Sequence, residues 1–435
     1  MSNSSDGSEG SLGFLSITAI GIGGMVGGGI FAVLGLAVKL GHGGTPIAFA
    51  IAGLVALITS YSYARLSVSF PSEGGTVEFL VKGFGTGIFT GGLNVLLWIS
   101  YVVMLSLYSY AFGGYAASFF PVGARPVLRH VFISLVMILF TVLNSLGSKL
   151  VGEAEEFIVG IKLAILLAFI GVCSINVDMA RLAPAQWTSL PTLLAGGMII
   201  FLGYEGFELM ANAAQDTKNP EKNLPRAFFS AVGFTVILYI AIAFVTVGNL
   251  PVAKIVSAKD YALAAAAEPV MGQVGFTIIA IAALLSTSSA INATLYSTSR
   301  VSYIIAKEGE LPGTLEKKIW NQPLEGLFIT AGLGLLVANL LDISSISVMG
   351  SAGFLLIFAF VNAANARLHE KTDSRRWISA AGAVVCFLAF ATLVWHGESQ
   401  LRDIFVLIGM IGGAFLIEFV YRWFSGRELS SGTRS

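Results

Sequence analysis

Six of the eleven residues 21–31, Gly-Ile-Gly-Gly-Met-Val-Gly-Gly-Gly-Ile-Phe, are glycine, and they stand in the middle of an apolar run from about 12 to 40. A run of that length spans a bilayer as a helix, yet each glycine costs a helix roughly 1 kcal/mol relative to alanine. The span is therefore expected to unwind at its centre. Unwound backbone is tolerated at membrane depth only where protein buries it or where it lines a cavity. A broken membrane helix points to a site near the bilayer midplane, where freed N–H groups meet an anion and freed carbonyls meet a cation. That is the arrangement expected of a transporter.

Further apolar segments of spanning length fall at about 45–70, 86–119, 127–145, 154–176 and 190–214. A second set falls at 226–249, 272–306, 324–341, 344–367, 376–396 and 402–424, so the expectation is an all-α integral membrane protein of twelve helices. Composition agrees: 55% hydrophobic, 11% charged and a mean hydropathy of +0.82 exclude an ordinary soluble domain. The net charge of zero leaves no basic footprint for nucleic acid. Cys173 and Cys386 lie in apolar runs without a CxxC spacing and read as small hydrophobes. Residues 1–11 carry no Lys or Arg and so lack the basic start of a cleavable signal; the first span is expected to be retained.

Of the Lys and Arg residues, 17 fall in loops on the side of the N-terminus, 7 on the other side, and Lys162 alone within a span. By the positive-inside rule both termini are expected to be cytoplasmic, in a multi-pass protein of the cell membrane. His42, His130, His369 and His396 sit in or beside loops without metal-ligand spacing, and no HExxH, Walker A or G-x-S-x-G sequence occurs. Neither an enzyme nor a cofactor or metal site is expected.

The sixth span carries its own interruption, Phe201-Leu202-Gly203-Tyr204-Glu205-Gly206-Phe207-Glu208, with glycines on both sides of a glutamate. Spans one and six hold the same ordinal place in two halves of five helices. Because five is odd, the second half must run inverted relative to the first, and paired interrupted helices in such halves point to a transport site. The expected organisation is a tail at 1–11, a first repeat at 12–176, a second at 190–367, two further spans within 376–424 and a tail at 425–435.

Several stretches then resemble one family. Gly23-x-x-Val26-Gly27-Gly28-Gly29-Ile30-Phe31 is similar to the first-helix signature of the amino acid–polyamine–organocation (APC) transporters. Phe201-x-Gly203-x-Glu205 resembles its sixth-helix signature, and Lys218-Asn219-Pro220-x-x-Asn223-Leu224-Pro225-Arg226-Ala227 the loop that follows. Asn292-Ala293-x-x-Tyr296-x-x-Ser299-Arg300 with Glu308-Gly309-x-Leu311-Pro312 is similar to the eighth span and its exit. Gly152-x-Ala154-Glu155-x-Phe157-Ile158-Val159-x-x-Lys162 and Gly248-Asn249-Leu250-Pro251 extend the likeness to the archaeal proton-coupled, broad-specificity members. The resemblance covers essentially the whole chain. It implies the five-plus-five inverted-repeat (LeuT-like) fold and import of amino acids, mostly neutral, together with protons.

Candidate residues follow. Gly27, Gly28 and Gly29 offer N–H groups to a substrate carboxylate, or else serve only close helix packing through GxxxG spacings at 23/27 and 24/28. The carbonyls along Phe201, Leu202, Gly203 and Tyr204 are expected to accept the substrate's amino group. Lys162 stands in an apolar run where a lysine costs roughly 2.5–3.5 kcal/mol on insertion scales. The resemblance gives it the place of a sodium ion, bonding carbonyls near Gly21 to Gly24, with Ser288 or Ser289 nearby and with its deprotonation linked to transport. The alternative is snorkelling towards the end marked by Glu155 and Glu156. Glu205 is either a proton carrier or an organising group. Glu208, three residues on, departs from the family's usual small residue and leaves the proton count open; a carboxylate inside the pocket would favour a basic amino acid or polyamine. An antiporter with Lys162 as a fixed cation, and a membrane sensor that binds without translocating, are the alternative functions.

Overall fold

The structure, a computed structural model, describes residues 10–146, 152–307, 324–395 and 400–425. The expected exit of the eighth span at 308–312, Lys149, Lys317, Lys318, His396 and the outer parts of both tails, with Arg427 and Arg434, lie outside the described residues. So do the side chains of Glu155, Glu156, Lys259 and Arg402.

Among the described residues ten helices are long and apolar enough to cross a membrane. An eleventh crossing is the first span, Phe14–Met25 and Gly29–Gly41, bent by 46° at its break. The shorter apolar helix Leu324–Leu340 takes the ninth place. In order, the second to fifth spans are Thr45–Ser69, Ile88–Ser118, Arg125–Leu146 and Gly152–Cys173. The sixth begins as Leu190–Ile199 and continues through Ile200–Glu208 to Leu209–Asn212; the seventh is Pro220–Asn249. The eighth lies within Ala262–Lys307, and Ile343–Arg367, Arg376–Trp395 and Gln400–Ser425 are the tenth to twelfth.

Local chemistry sets the boundaries. The seventh span starts earlier than its apolar pattern because Pro220 suits a first helical turn, entered from Asn219 at a left-handed φ of 46°. Ser189 Oγ accepts from Thr192 N at the start of the sixth span, and Asp342 Oδ1 from Ser345 N at the start of the tenth. Gly272, with φ 63°, divides Ala262–Lys307 into a helix of the preceding loop and the eighth span proper.

Burial separates centre from periphery. The apolar windows of the sixth and tenth spans are 89% buried and that of the third 83%, against 22% for the fourth and twelfth. The central helices thus face protein all round, and the peripheral ones turn one face to lipid. The second span packs on the seventh, and the third on the fourth and eighth. The eleventh is held by a buried polar seam. Ser62 Oγ donates to Asn362 Oδ1 (2.7 Å), Asn365 Nδ2 to Ser379 Oγ (2.8 Å), and Thr59 Oγ1 meets Cys386 Sγ (3.4 Å). The two free cysteines are buried.

Candidate functional site

Helix geometry is lost between Met25 and Gly29, and the carbonyls this frees are taken up by side chains from three other spans. Lys162 Nζ, from the fifth span, donates to Gly23 O at 3.2 Å. The Tyr239 hydroxyl, from the seventh, lies 2.6 Å from Met25 O and 3.2 Å from Gly203 O, so one group serves both breaks. Ser286 Oγ, from the eighth, meets Val26 O (2.9 Å) and Gly27 O. Lys162 is only 1% exposed. The eighth-span hydroxyl bonded to this break is Ser286, which the sequence did not single out, while Ser289 lines a cavity together with Gly23 and Gly24.

The sixth span winds as a 3-10 helix for nine residues, Ile200–Glu208. Runs beyond three or four residues are uncommon because the hydrogen-bond geometry is poorer. Side chains again stabilise it. Ser351 Oγ, from the tenth span, donates to Ile199 O (2.8 Å) and accepts from Leu202 N (3.1 Å). The Tyr204 hydroxyl donates to Phe49 O at 3.0 Å.

The two breaks touch through glycine. A Cβ on Gly29 would stand 2.7 Å from Gly203 Cα, and one on Gly206 would stand 2.6 Å from Met25 N. A Cβ on Gly27 would meet Ala290 Cβ at 3.0 Å, and one on Gly28 would overlap the Tyr108 ring. Gly27, Gly28 and Gly29 are closely packed, and neither they nor Phe201, Leu202, Gly203 and Tyr204 are among the described residues that line the cavity. Gly21 faces Met210 and Ala231.

Beside the breaks lies a cavity of about 480 Å³. Gly24, Glu205, Tyr101, Tyr108 and Ser289 form its inner walls, and Ser16, Asn212 and Asp216 its mouth. It therefore reaches from the breaks to the side where the chain begins. Asn144 Nδ2 donates to Asn292 Oδ1 at 2.8 Å across another wall. Among the described residues the charged side chains on these walls are acidic, Glu205 and Asp216. On the opposite side the path is packed shut. Phe31 meets Tyr115 edge-on at 6.0 Å, and Arg129 Nη1 pairs with Asp260 Oδ2 at 3.0 Å. A chamber open on one side, walled by two broken helices, can bind a small polar solute.

Comparison with known proteins matches residues 12–416 to the family model described as amino acid permease. The chain belongs to the amino acid permease family. This permease is 36% identical over 420 residues to an uncharacterized protein of Methanocaldococcus jannaschii, covering 95% of each chain. It is 35% identical over 413 residues to the inner membrane transport protein YbaT of Escherichia coli, covering 94% of this chain and 96% of that one. It is 25% identical over 428 residues to the branched-chain amino acid permease BcaP of Bacillus subtilis, covering 92% and 91%. The APC resemblance is thus established, with its helical, membrane-spanning fold and a role in amino-acid transport. The names of family and relatives point to a transporter rather than an enzyme.

The sequence passed over Ser286, Tyr239, Ser351 and the carbonyl they each satisfy. The available signal was a hydroxyl in an otherwise apolar span, but many such residues only bond their own preceding turn, as Ser109 does to Leu105 O.

Proposed function

We propose that this permease is a secondary active transporter that imports amino acids, mostly neutral and of broad range, in symport with protons by alternating access. The observation that carries the reading is Lys162 Nζ on Gly23 O at the first break, beside a cavity that reaches from the breaks to the side where the chain begins. A buried ammonium on a broken-helix carbonyl binds the fifth span to the first while it holds its proton, and releases it when the proton leaves. Substrate enters the cavity at the breaks. Spans 1, 2, 6 and 7 then rock against spans 3–5 and 8–10, the two inverted repeats supplying the halves of the motion. The Lys/Arg bias favours cytoplasmic termini in the cell membrane, so the open side is the cytoplasmic one. The name of the branched-chain relative supports neutral amino acids.

The test is uptake of radiolabelled amino acids into proteoliposomes with and without an inward proton gradient. Wild type is expected to accumulate substrate only with the gradient, and Lys162→Ala to lose this while remaining monodisperse. Uptake that ignores the gradient yet requires internal amino acid overturns symport and leaves Lys162 a fixed cation in an antiporter. Binding without accumulation or exchange makes the protein a sensor. Glu205 on the cavity wall favours one second reading, a substrate with a basic side chain or a polyamine. Competition of arginine or putrescine against leucine uptake decides between them.

A further inference from the structure

Glu208 has no part in the reading above, yet it is the more deeply placed of two buried carboxyl groups, 1% exposed against 4% for Glu205. Both lie in the 3-10 stretch Ile200–Glu208, where three residues make a turn and positions three apart stack on one face. The two carboxyls are consequently neighbours on one buried face. Glu205 is on the cavity wall and Glu208 stands behind it. Glu208 Oε2 accepts from Tyr63 Oη (3.1 Å) and Thr76 Oγ1 (3.0 Å), and those two hydroxyls are 2.8 Å apart. Tyr101 is a further neighbour of Glu208. Glu205 Oε2 and Glu208 Oε1 are both buried without a hydrogen-bond partner.

Among the described residues the groups packed against this pair are neutral. The second span presents Tyr63, the third Tyr101 and Tyr108, and the seventh Tyr239, whose hydroxyl is on Met25 O and Gly203 O. The first and tenth spans bring no charged side chain to the pair, and no Lys, Arg or His of the described residues forms an ion pair with either carboxyl. Two carboxylates side by side in a buried site without a cation repel at low dielectric. A carboxyl facing a carboxyl is a hydrogen bond only when one of them carries a proton.

We propose that Glu205 and Glu208 together bind one proton, in a carboxyl pair that is a proton site separate from Lys162. The proton enters from the cavity onto Glu205. Glu208, held by the Tyr63 and Thr76 hydroxyls, accepts the hydrogen bond and spreads the remaining negative charge. Loss of the proton sets two carboxylates against each other one turn apart, beside Gly206, whose backbone touches the first break. Protonation of the pair is thereby linked to the fit between the two broken helices.

For its transport consequence this rests on the symport reading; for the proton itself it does not. The test is infrared difference spectroscopy of the full-length protein in lipid across a pH step. Wild type is expected to show a protonated-carboxyl C=O band that titrates. Lys162→Ala is expected to keep it, and Glu205→Gln and Glu208→Gln each to abolish or shift it. In proteoliposomes, the ratio of gradient-driven accumulation to counterflow is expected to fall roughly tenfold in Glu208→Gln, within the range of site–site coupling energies. A wild type with no such band, or a Glu205→Gln/Glu208→Gln double variant with the wild-type band and ratio, overturns the proposal. If wild type ignores the gradient altogether, symport fails and the band alone decides whether the pair holds a proton. Should Glu208→Gln not fold, Glu205→Gln gives the same spectroscopic answer.

Discussion

A single side chain at the first break shows what can and cannot be read from residue type alone. Lys162 was legible because no other Lys or Arg stands so far from the ends of its apolar run, and a lone cation at that depth demands a partner. Which hydroxyl meets the break was not. Residues 286–289 read Ser-Thr-Ser-Ser, and each step around a helix turns a side chain by about 100°. Only one of the four can point at a given carbonyl, and helix rotation is set by packing that the local sequence does not encode. Ser286 is fully buried on Val26 O, while Thr287 bonds its own preceding turn at Ala283 O. Ser286→Ala is accordingly expected to cost about 1–3 kcal/mol, the penalty for leaving a buried carbonyl unsatisfied. Ser288→Ala is expected to leave stability within about 0.5 kcal/mol of wild type. Thermal melting of the detergent-solubilised variants checks both; equal losses would take Ser286 away from the break.

At the scale of the elements, the glycines of the two breaks had two readings, ligand-binding backbone or close helix approach. In the structure they stand in close approach, Gly29 against Gly203 and Gly24 against Gly206. Composition could announce that both helices unwind, since six glycines in eleven residues leave little helical preference. It could not announce that the unwound stretches lie backbone to backbone, because that depends on how the two spans are brought together. The contact is directional, and this gives a paired prediction. A Cβ on Gly29 would stand 2.7 Å from Gly203 Cα, whereas a Cβ on Gly203 finds nothing closer than Tyr239 Cε2 at 3.6 Å, an ordinary contact. Gly29→Ala is expected to force the breaks apart, destabilising by about 1–3 kcal/mol as overpacking does. Gly203→Ala is expected to stay near wild type in melting temperature and uptake. Equal behaviour of the two variants would show that the breaks do not meet as described.

For the whole molecule, hydropathy alone laid out the crossings, because every span must present an apolar exterior to lipid or neighbour for the length of the bilayer. What it left open was which side of the molecule is shut. Asp260 lies in the loop between the seventh and eighth spans, against Gly114 of the third, and pairs with Arg129 of the fourth. Arg129 also stacks over the Tyr110 ring at 4.7 Å. That loop packs on the outer half of the first span, so the ion pair holds the loop down over the closed side. The pair is partly shielded, with side-chain exposures of 22% and 15%, and its partners are left with unpaired buried atoms, Arg129 Nε and Asp260 Oδ1. In the alternating-access cycle proposed above, opening this side must break the pair. Asp260→Asn removes the charge while keeping the shape, and a charge-assisted hydrogen bond of this kind is worth about 1.5–3 kcal/mol. The variant is expected to shift the population towards the form open on this side by a factor of about ten or more. Phe31, fully buried behind the loop, reports on it: Phe31→Cys, with Cys173 and Cys386 replaced by serine, should react faster with a membrane-impermeant thiol reagent when Asp260→Asn is added. Adding Arg129→Gln to Asp260→Asn should change little further, since the pair is already broken. Labelling that is unaffected by Asp260→Asn would mean that aromatic packing of Phe31 on Tyr115, not the ion pair, keeps this side closed.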